Sequence, residues 1–216
     1  DKALKADPRS EMLIEQAGAD AVFRNDWDGV ERVAKVSEGV GERGVAATIR
    51  ARALMKQDKR AEAIALLQKT RESGDQSPLL LRQLGVLLEA SGRLDDAVEA
   101  MRAAYERRPN DVNTARVYAL VLDRAGERTR ALDILRELAR ANPSNRETMD
   151  AWLRLEAEVG DRTGAVAMRR RLYRDAPAFR ANAVALAAML LDNPGDLALM
   201  VDDDGKRKFT IEQLQG

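Results

Sequence analysis

Residues Pro78–Pro109 read PLLLRQLGVLLEASGRLDDAVEAMRAAYERRP, and this stretch decides the fold. Its first half places Leu81, Leu84 and Leu88 at the three-then-four spacing of one helical face. Ser77 is a suitable N-cap, and Pro78 sits in the first turn, where no backbone donor is lost. Gly92 predicts a left-handed residue that ends the helix. The second half, Asp95 to Arg107, places Ala97, Met101 and Ala104 on one face. Pro109 stops it, and Asp111 is placed to cap the helix that follows. The unit is helix, tight turn, helix, tight turn.

The same plan recurs at a fixed interval. Ala63, Ala97, Ala131 and Ala165 are 34 residues apart, as are Gly92, Gly126 and Gly160, and Pro109, Pro143 and Pro177. Three residue types, each in its own phase, mean one supersecondary unit copied and stacked. In the next unit, Val112 to Asn145, Tyr118, Ala119 and Leu122 lie on the first helix and Ala131, Leu135 and Leu138 on the second. From Arg146 to Phe179 the pattern weakens, because Glu156 and Arg169 occupy positions that are apolar elsewhere. A register adjustment or partial exposure is expected there. Trp152 and Trp27 fit the phase and are expected in the core.

Upstream, Gly44 to Ser77 keeps Ala47, Ala51, Leu54, Ala63 and Leu67 in phase, with Asp58 in place of the turn glycine. Glu11 to Arg43 is one residue shorter, and its Gly39-Val40-Gly41 end is the least regular junction. The expected organisation is therefore the end of a preceding repeat over 1–8, five helix pairs over 11–179, and an additional helix over 180–193. A tail, 194–216, belongs to no repeat and is either a short hairpin or a flexible end. The opening Asp1–Pro8 reads as a repeat already under way, which suggests a piece of a longer protein or a form trimmed upstream. That leaves the compartment, bacterial cytoplasm or periplasm, undetermined.

Composition narrows the function. Lys+Arg and Asp+Glu both number 36, which argues against a dedicated binder of nucleic acid or anionic membrane. With no histidine and no cysteine, imidazole triads, thiolate nucleophiles and the usual zinc sets are excluded. The glycines are spaced as turns rather than gathered in a phosphate-cradling loop, and no acid–base motif stands out. The Asp202-Asp203-Asp204-Gly205 run lacks the alternate spacing of a calcium loop. No apolar run reaches the length of a membrane span. No cofactor, metal, nucleic-acid partner or direct membrane insertion is expected.

Leu84-Gly85, Leu88, Ala97, Met101, Ala104 and Pro109, with Tyr118-Ala119, Leu122, Ala131, Leu135, Leu138 and Pro143, resemble the tetratricopeptide repeat. The resemblance covers roughly 1–191 and implies an all-α fold, a right-handed superhelix of antiparallel helix pairs. The pentatricopeptide repeat, a reader of single-stranded RNA, fits less well given the closing prolines and zero net charge. The resemblance also implies a protein-interaction scaffold whose first helices line a concave, partner-binding groove. Mapped onto this chain, that groove takes in Thr48, Arg52, Met55 and Lys56, then Leu79, Arg82, Val86 and Glu89. It continues with Asn113, Arg116, Leu120, Asp123 and Arg124, then Glu147, Asp150, Arg154 and Glu158.

Of these, Arg52, Lys56, Arg82, Val86, Asn113, Arg116, Leu120 and Arg124 are the partner-binding candidates, suited to a segment with carboxylates and a large apolar side chain. A solvated charged face is the equal alternative on a chain that is 33% charged. The lysine–asparagine–arginine clamp of chaperone-binding relatives is not rebuilt, since Arg52, Val86 and Leu120 take its asparagine places. Arg107-Arg108 and Arg169-Arg170-Arg171 lie on second helices and are expected to be solvated surface. The Ala/Arg-rich composition suggests a bacterium with a GC-rich genome, and there the resemblance implies an envelope or polysaccharide-secretion assembly. An accessory, non-catalytic part of a larger enzyme is the alternative, and self-association through exposed repeat ends is a further expectation.

Overall fold

The turns at Asn25, Gly41, Asp58, Gly74, Gly92 and Gly126 each hold a residue in the left-handed backbone region, whereas Gly160, in phase with Gly92 and Gly126, takes φ −119°. Gly92 has φ +76° and Gly126 φ +86°, and Asp58, in the equivalent place, takes φ 60°. The computed structural model describes residues 7, 9–175 and 180–193. Eleven helices occur among the described residues: α1 Glu11–Phe23, α2 Trp27–Gly39, α3 Arg43–Lys56, α4 Arg60–Glu72, α5 Pro78–Glu89, α6 Leu94–Arg107, α7 Val112–Arg124, α8 Arg128–Ala141, α9 Arg146–Val159, α10 Arg162–Asp175 and α11 Arg180–Asp192. No strand occurs among them, so the class is all-α. Pro177 and the 194–216 tail, with the hairpin expected there, lie outside the described residues, as does nearly all of 1–8.

Side chains satisfy the open helix starts where the sequence offers them. Asp26 accepts from the Gly29 N–H at 2.8 Å, Asn145 from Thr148 at 2.9 Å and Asp161 from Gly164 at 2.9 Å. Asp111 caps α7 as expected, accepting from the Asn113 N–H and the Thr114 hydroxyl. Ser77 stands at the N-cap of α5 in extended backbone but makes no capping bond. Its own N–H instead donates to Asp75 at 2.9 Å.

Two compact units divide the chain, 1–121 and 122–216, with the boundary inside α7. In the first, α1 packs on α2 and α3, α3 on α4 and α5, and α5 on α6. Its core joins Ile14, Val30, Val33, Val45, Ile49 and Leu79. The helices approach closely only because glycine lies at the crossing. A Cβ on Gly18 would stand 2.7 Å from Ile49 Cγ1, and one on Gly85 would stand 2.6 Å from Met101 Cγ. In the second unit α8 packs on α9, α9 on α10 and α10 on α11, around Met149, Leu153, Val166, Leu186 and Leu190.

Three expectations are corrected. Glu156 and Arg169 are neither exposed nor the cause of a shifted register; both are buried, at 5% and 2% exposure. Arg136 donates to both carboxylate oxygens of Glu156, at 2.6 and 2.8 Å. The Trp152 indole N–H adds a bond at 2.7 Å and the Asp161 N–H one at 2.8 Å. Arg169 donates to the Asp150 carboxylate at 2.8 Å and to Asn182 at 3.3 Å, and Asn182 returns a bond to the Arg169 carbonyl. A buried charge persists only when paired, and here the pairing replaces apolar packing. Trp27, expected in the core, is 39% exposed at the start of α2. Trp152 is half-buried, packed against the core of the second unit with its indole N–H bonded to Glu156.

Candidate partner-binding face

The first helices of successive pairs lie beside one another in the first unit, since α1 packs on α3 and α3 on α5. One row of their side chains turns inward. Thr48 and Leu79, expected on the open face, belong to that inward row: Thr48 is fully buried and donates to the Gly44 carbonyl at 2.9 Å, and Leu79 is in the core. Their neighbours Arg52, Arg82 and Val86 are half-buried, at the edge between core and solvent.

Arg52 has the most distinctive surroundings. It makes no hydrogen bond or ion pair among the described residues. Burial pulls its guanidinium below the ordinary value; Glu15 opposes this and Arg82 adds to it. Arg52 lines a cleft of about 400 Å³ with Glu11, Met12, Glu15, Gln16, Ala19 and Arg108. Arg108 crosses to Glu11 at 3.2 Å, joining the end of α6 to the start of α1. The α1 residues were missed by the reading of the sequence, which began the groove at α3. Met12, Glu15, Gln16 and Ala19 nevertheless share a helical face apart from Ile14, Gly18 and Ala21, and that spacing was available.

Arg82 stands 4.0 Å from Asp111, a loose pair. Burial works to raise the Asp111 carboxyl, but hydrogen bonds from Thr114 and Asn113, with Arg82 nearby, hold it below the usual range. Lys56 is already engaged. Its ammonium donates to the Val22 and Phe23 carbonyls at 2.9 and 2.6 Å and lies 5.5 Å from the Phe23 ring centroid. A cation on the last carbonyls of α1 stabilises that helix end. On α7, Arg116 and Leu120 are half-buried and Asn113 is exposed.

In the second unit Arg124 is exposed at the end of α7. Beside it four charges close a ring. Asp123 meets Arg128 at 3.3 Å and Arg154 at 2.8 Å, and Glu158 meets Arg154 at 3.3 Å and Arg128 at 3.9 Å. Asp123, Arg154 and Glu158, read from the sequence as groove residues, thus spend their charge on one another. Asp150 does the same on Arg169.

Residues 50–112 match the family model of the tetratricopeptide repeat. No curated protein matches the sequence at a significant level. Among solved structures, a tetratricopeptide repeat protein from Parabacteroides merdae is similar at a TM-score of 0.67 and 14% identity, over 88% of this chain and 76% of that one. YrrB, described as a tetratricopeptide-repeat protein with an unusual peptide-binding site, gives 0.60 and 16%, over 84% of this chain and 94% of that one. MamA from Desulfovibrio magneticus gives 0.60 and 16%, over 71% and 86%. At these identities the likeness is one of fold. With the 34-residue beat, the helix pairs and the family match in agreement, residues 50–112 carry the tetratricopeptide repeat, and the chain shares the fold of tetratricopeptide-repeat proteins.

Proposed function

We propose that this chain is a protein-interaction scaffold, and that its first unit holds a peptide segment or partner domain on the face built by α1, α3 and α5. The observation that carries this is Arg52: a half-buried guanidinium, unpaired among the described residues, on the wall of a cleft of about 400 Å³. A guanidinium held partly out of water gains most from a carboxylate, which it binds through two parallel donors. The ligand we infer therefore carries a carboxylate for Arg52 and a large apolar side chain to lie against Met12, which is 79% exposed. Arg82 supplies a second cation that its loose contact with Asp111 leaves able to turn. Val86, Asn113, Arg116 and Leu120 extend the proposed face along α5 and α7, and Lys56 shapes it by fastening the end of α1. Arg124 is proposed as a separate contact on the second unit. YrrB, whose description names a peptide-binding site, supports the class of ligand. The setting proposed, a bacterial envelope or polysaccharide-secretion assembly, comes from the resemblance and the Ala/Arg-rich composition.

The test is binding of fluorescent peptides bearing one large apolar residue and either an aspartate or an asparagine beside it. Arg52→Glu with Arg82→Glu is expected to weaken the aspartate peptide at least about tenfold while leaving helicity by circular dichroism unchanged. Arg116→Glu is expected to weaken it less. Equal binding of the two peptides, or an unchanged affinity in the double variant, sinks the assignment.

A further inference from the structure

The last helix among the described residues carries an exposed apolar stripe. Its buried side, with Leu186 and Leu190 at its centre, packs against α10. On the other side Ala181, Val184, Ala188 and Leu191 are exposed, with Val184 at 65% and Leu191 at 48%. Their spacing of three, four and three makes one continuous row. A helix that ends a repeat array normally turns a polar face outward, but α11 carries charge only at its two tips, Arg180 and Asp192. The repeat's apolar pattern does not carry on at these positions in the sequence that follows. Continued at the same beat, the inward positions of Ala100, Met101 and Ala104 fall on Asp202, Asp203 and Lys206.

The two tip charges are set against the helix dipole. Arg180 sits at the positive N-terminal end and Asp192 at the negative C-terminal end, and neither has an ion-pair partner among the described residues. Both placements become favourable beside an antiparallel copy of the same helix. The stripe is self-complementary about position 186. Ala181 then faces Leu191 of the second copy, Val184 faces Ala188, and Arg180 faces Asp192, each pair occurring twice. Small faces large along the whole row, which lets two helices approach closely without a gap. Each Arg180 also meets the C-terminal dipole of the opposite helix.

We propose that α11 docks antiparallel on α11 of a second copy of this chain, making a two-fold dimer.

Sedimentation velocity of the full 216-residue chain across a wide concentration range is expected to show its mass doubling. Val184→Glu with Leu191→Glu is expected to abolish that doubling while circular dichroism stays unchanged. Arg180→Asp and Asp192→Arg each improve the match of α11 to its own dipole, so neither should cost the fold. Each alone opposes like charges across the dimer and is expected to raise its dissociation constant about tenfold, and the two combined restore it. The chain has no native cysteine, so single introduced thiols are unambiguous. Val184→Cys mixed with Ala188→Cys is expected to cross-link. Ala181→Cys alone is not, its two copies lying about 15 Å apart along the axis. A monomer at every concentration overturns the proposal; it is also the outcome if residues beyond 193 or another protein cover the stripe. A dimer that survives Val184→Glu/Leu191→Glu, or that the combined charge exchange fails to restore, overturns it as well.

Discussion

Asp58 occupies a backbone conformation that most of the array reserves for glycine. Its φ of 60° matches Gly92 and Gly126 in the corresponding turns, and an L side chain there pushes against the following carbonyl. Asp58→Gly is therefore expected to raise stability by about 0.5–1 kcal/mol, and Gly92→Ala to lower it by about 1 kcal/mol, both read by urea unfolding. Glu156 makes a prediction about acid. Arg136 first, then the Asp161 N–H and the Trp152 indole against an opposing burial effect, hold its carboxyl down to about 2. A carboxylate with a folded value below its unfolded one stabilises the protein above the unfolded value of 4.5, and that contribution is lost as pH falls toward 2. Glu156→Gln should accordingly melt well below the parent near neutrality, with the difference closing as pH falls through this window. A gap that stays constant to pH 2 would show that the ionised form is not what stabilises the fold.

Among the elements, the crossing of α5 and α6 is a tight constraint. Gly85 admits the Met101 side chain, and Ala97, fully buried, faces the same gap. Gly85→Leu or Ala97→Leu should part the two helices at a cost of about 1–3 kcal/mol, measured by chemical denaturation with helicity retained. These contacts were legible in the sequence because a small residue at a fixed phase has one structural use. Helix ends were equally legible, since Gly92, Gly126, Pro109 and Pro143 act on the backbone within a turn of themselves. The observed α6 begins at Leu94, one residue before the expected start. The exposed α1 row was legible too but passed over. What the pattern could not convey was the use of Glu156 and Arg169, whose spacing fitted exposure as well as burial.

At the scale of the whole molecule, each unit happens to contain one tryptophan, Trp27 in the first and Trp152 in the second. The exposed Trp27 reports little of its unit's packing, whereas Trp152 is bound to the buried Glu156. With Trp27→Phe removing the first signal, Trp152 emission should shift as pH falls through about 2, where the folded-state Glu156 carboxylate is protonated. Hydrogen exchange over the same range should rise in α9 before α3, because repeat arrays gain stability unit by unit and open the same way. Exchange that rises first in α3 would argue that the Glu156 cluster is not the acid-sensitive point.

The repeat length, the helix pairing and the all-α class came from the sequence alone, because they rest on residues that act locally: a glycine that turns, a proline that stops, an alanine that admits its neighbour. The fate of the charges was decided only by tertiary packing. Among the described residues Arg52 is left unpaired, Lys56 is tied to the end of α1, Glu156 is sealed against Arg136, and Asp123 is closed into a ring with Arg128, Arg154 and Glu158. A charge finds its partner across the gap between helices, and the width of that gap is set by every side chain filling it, which a linear period does not record.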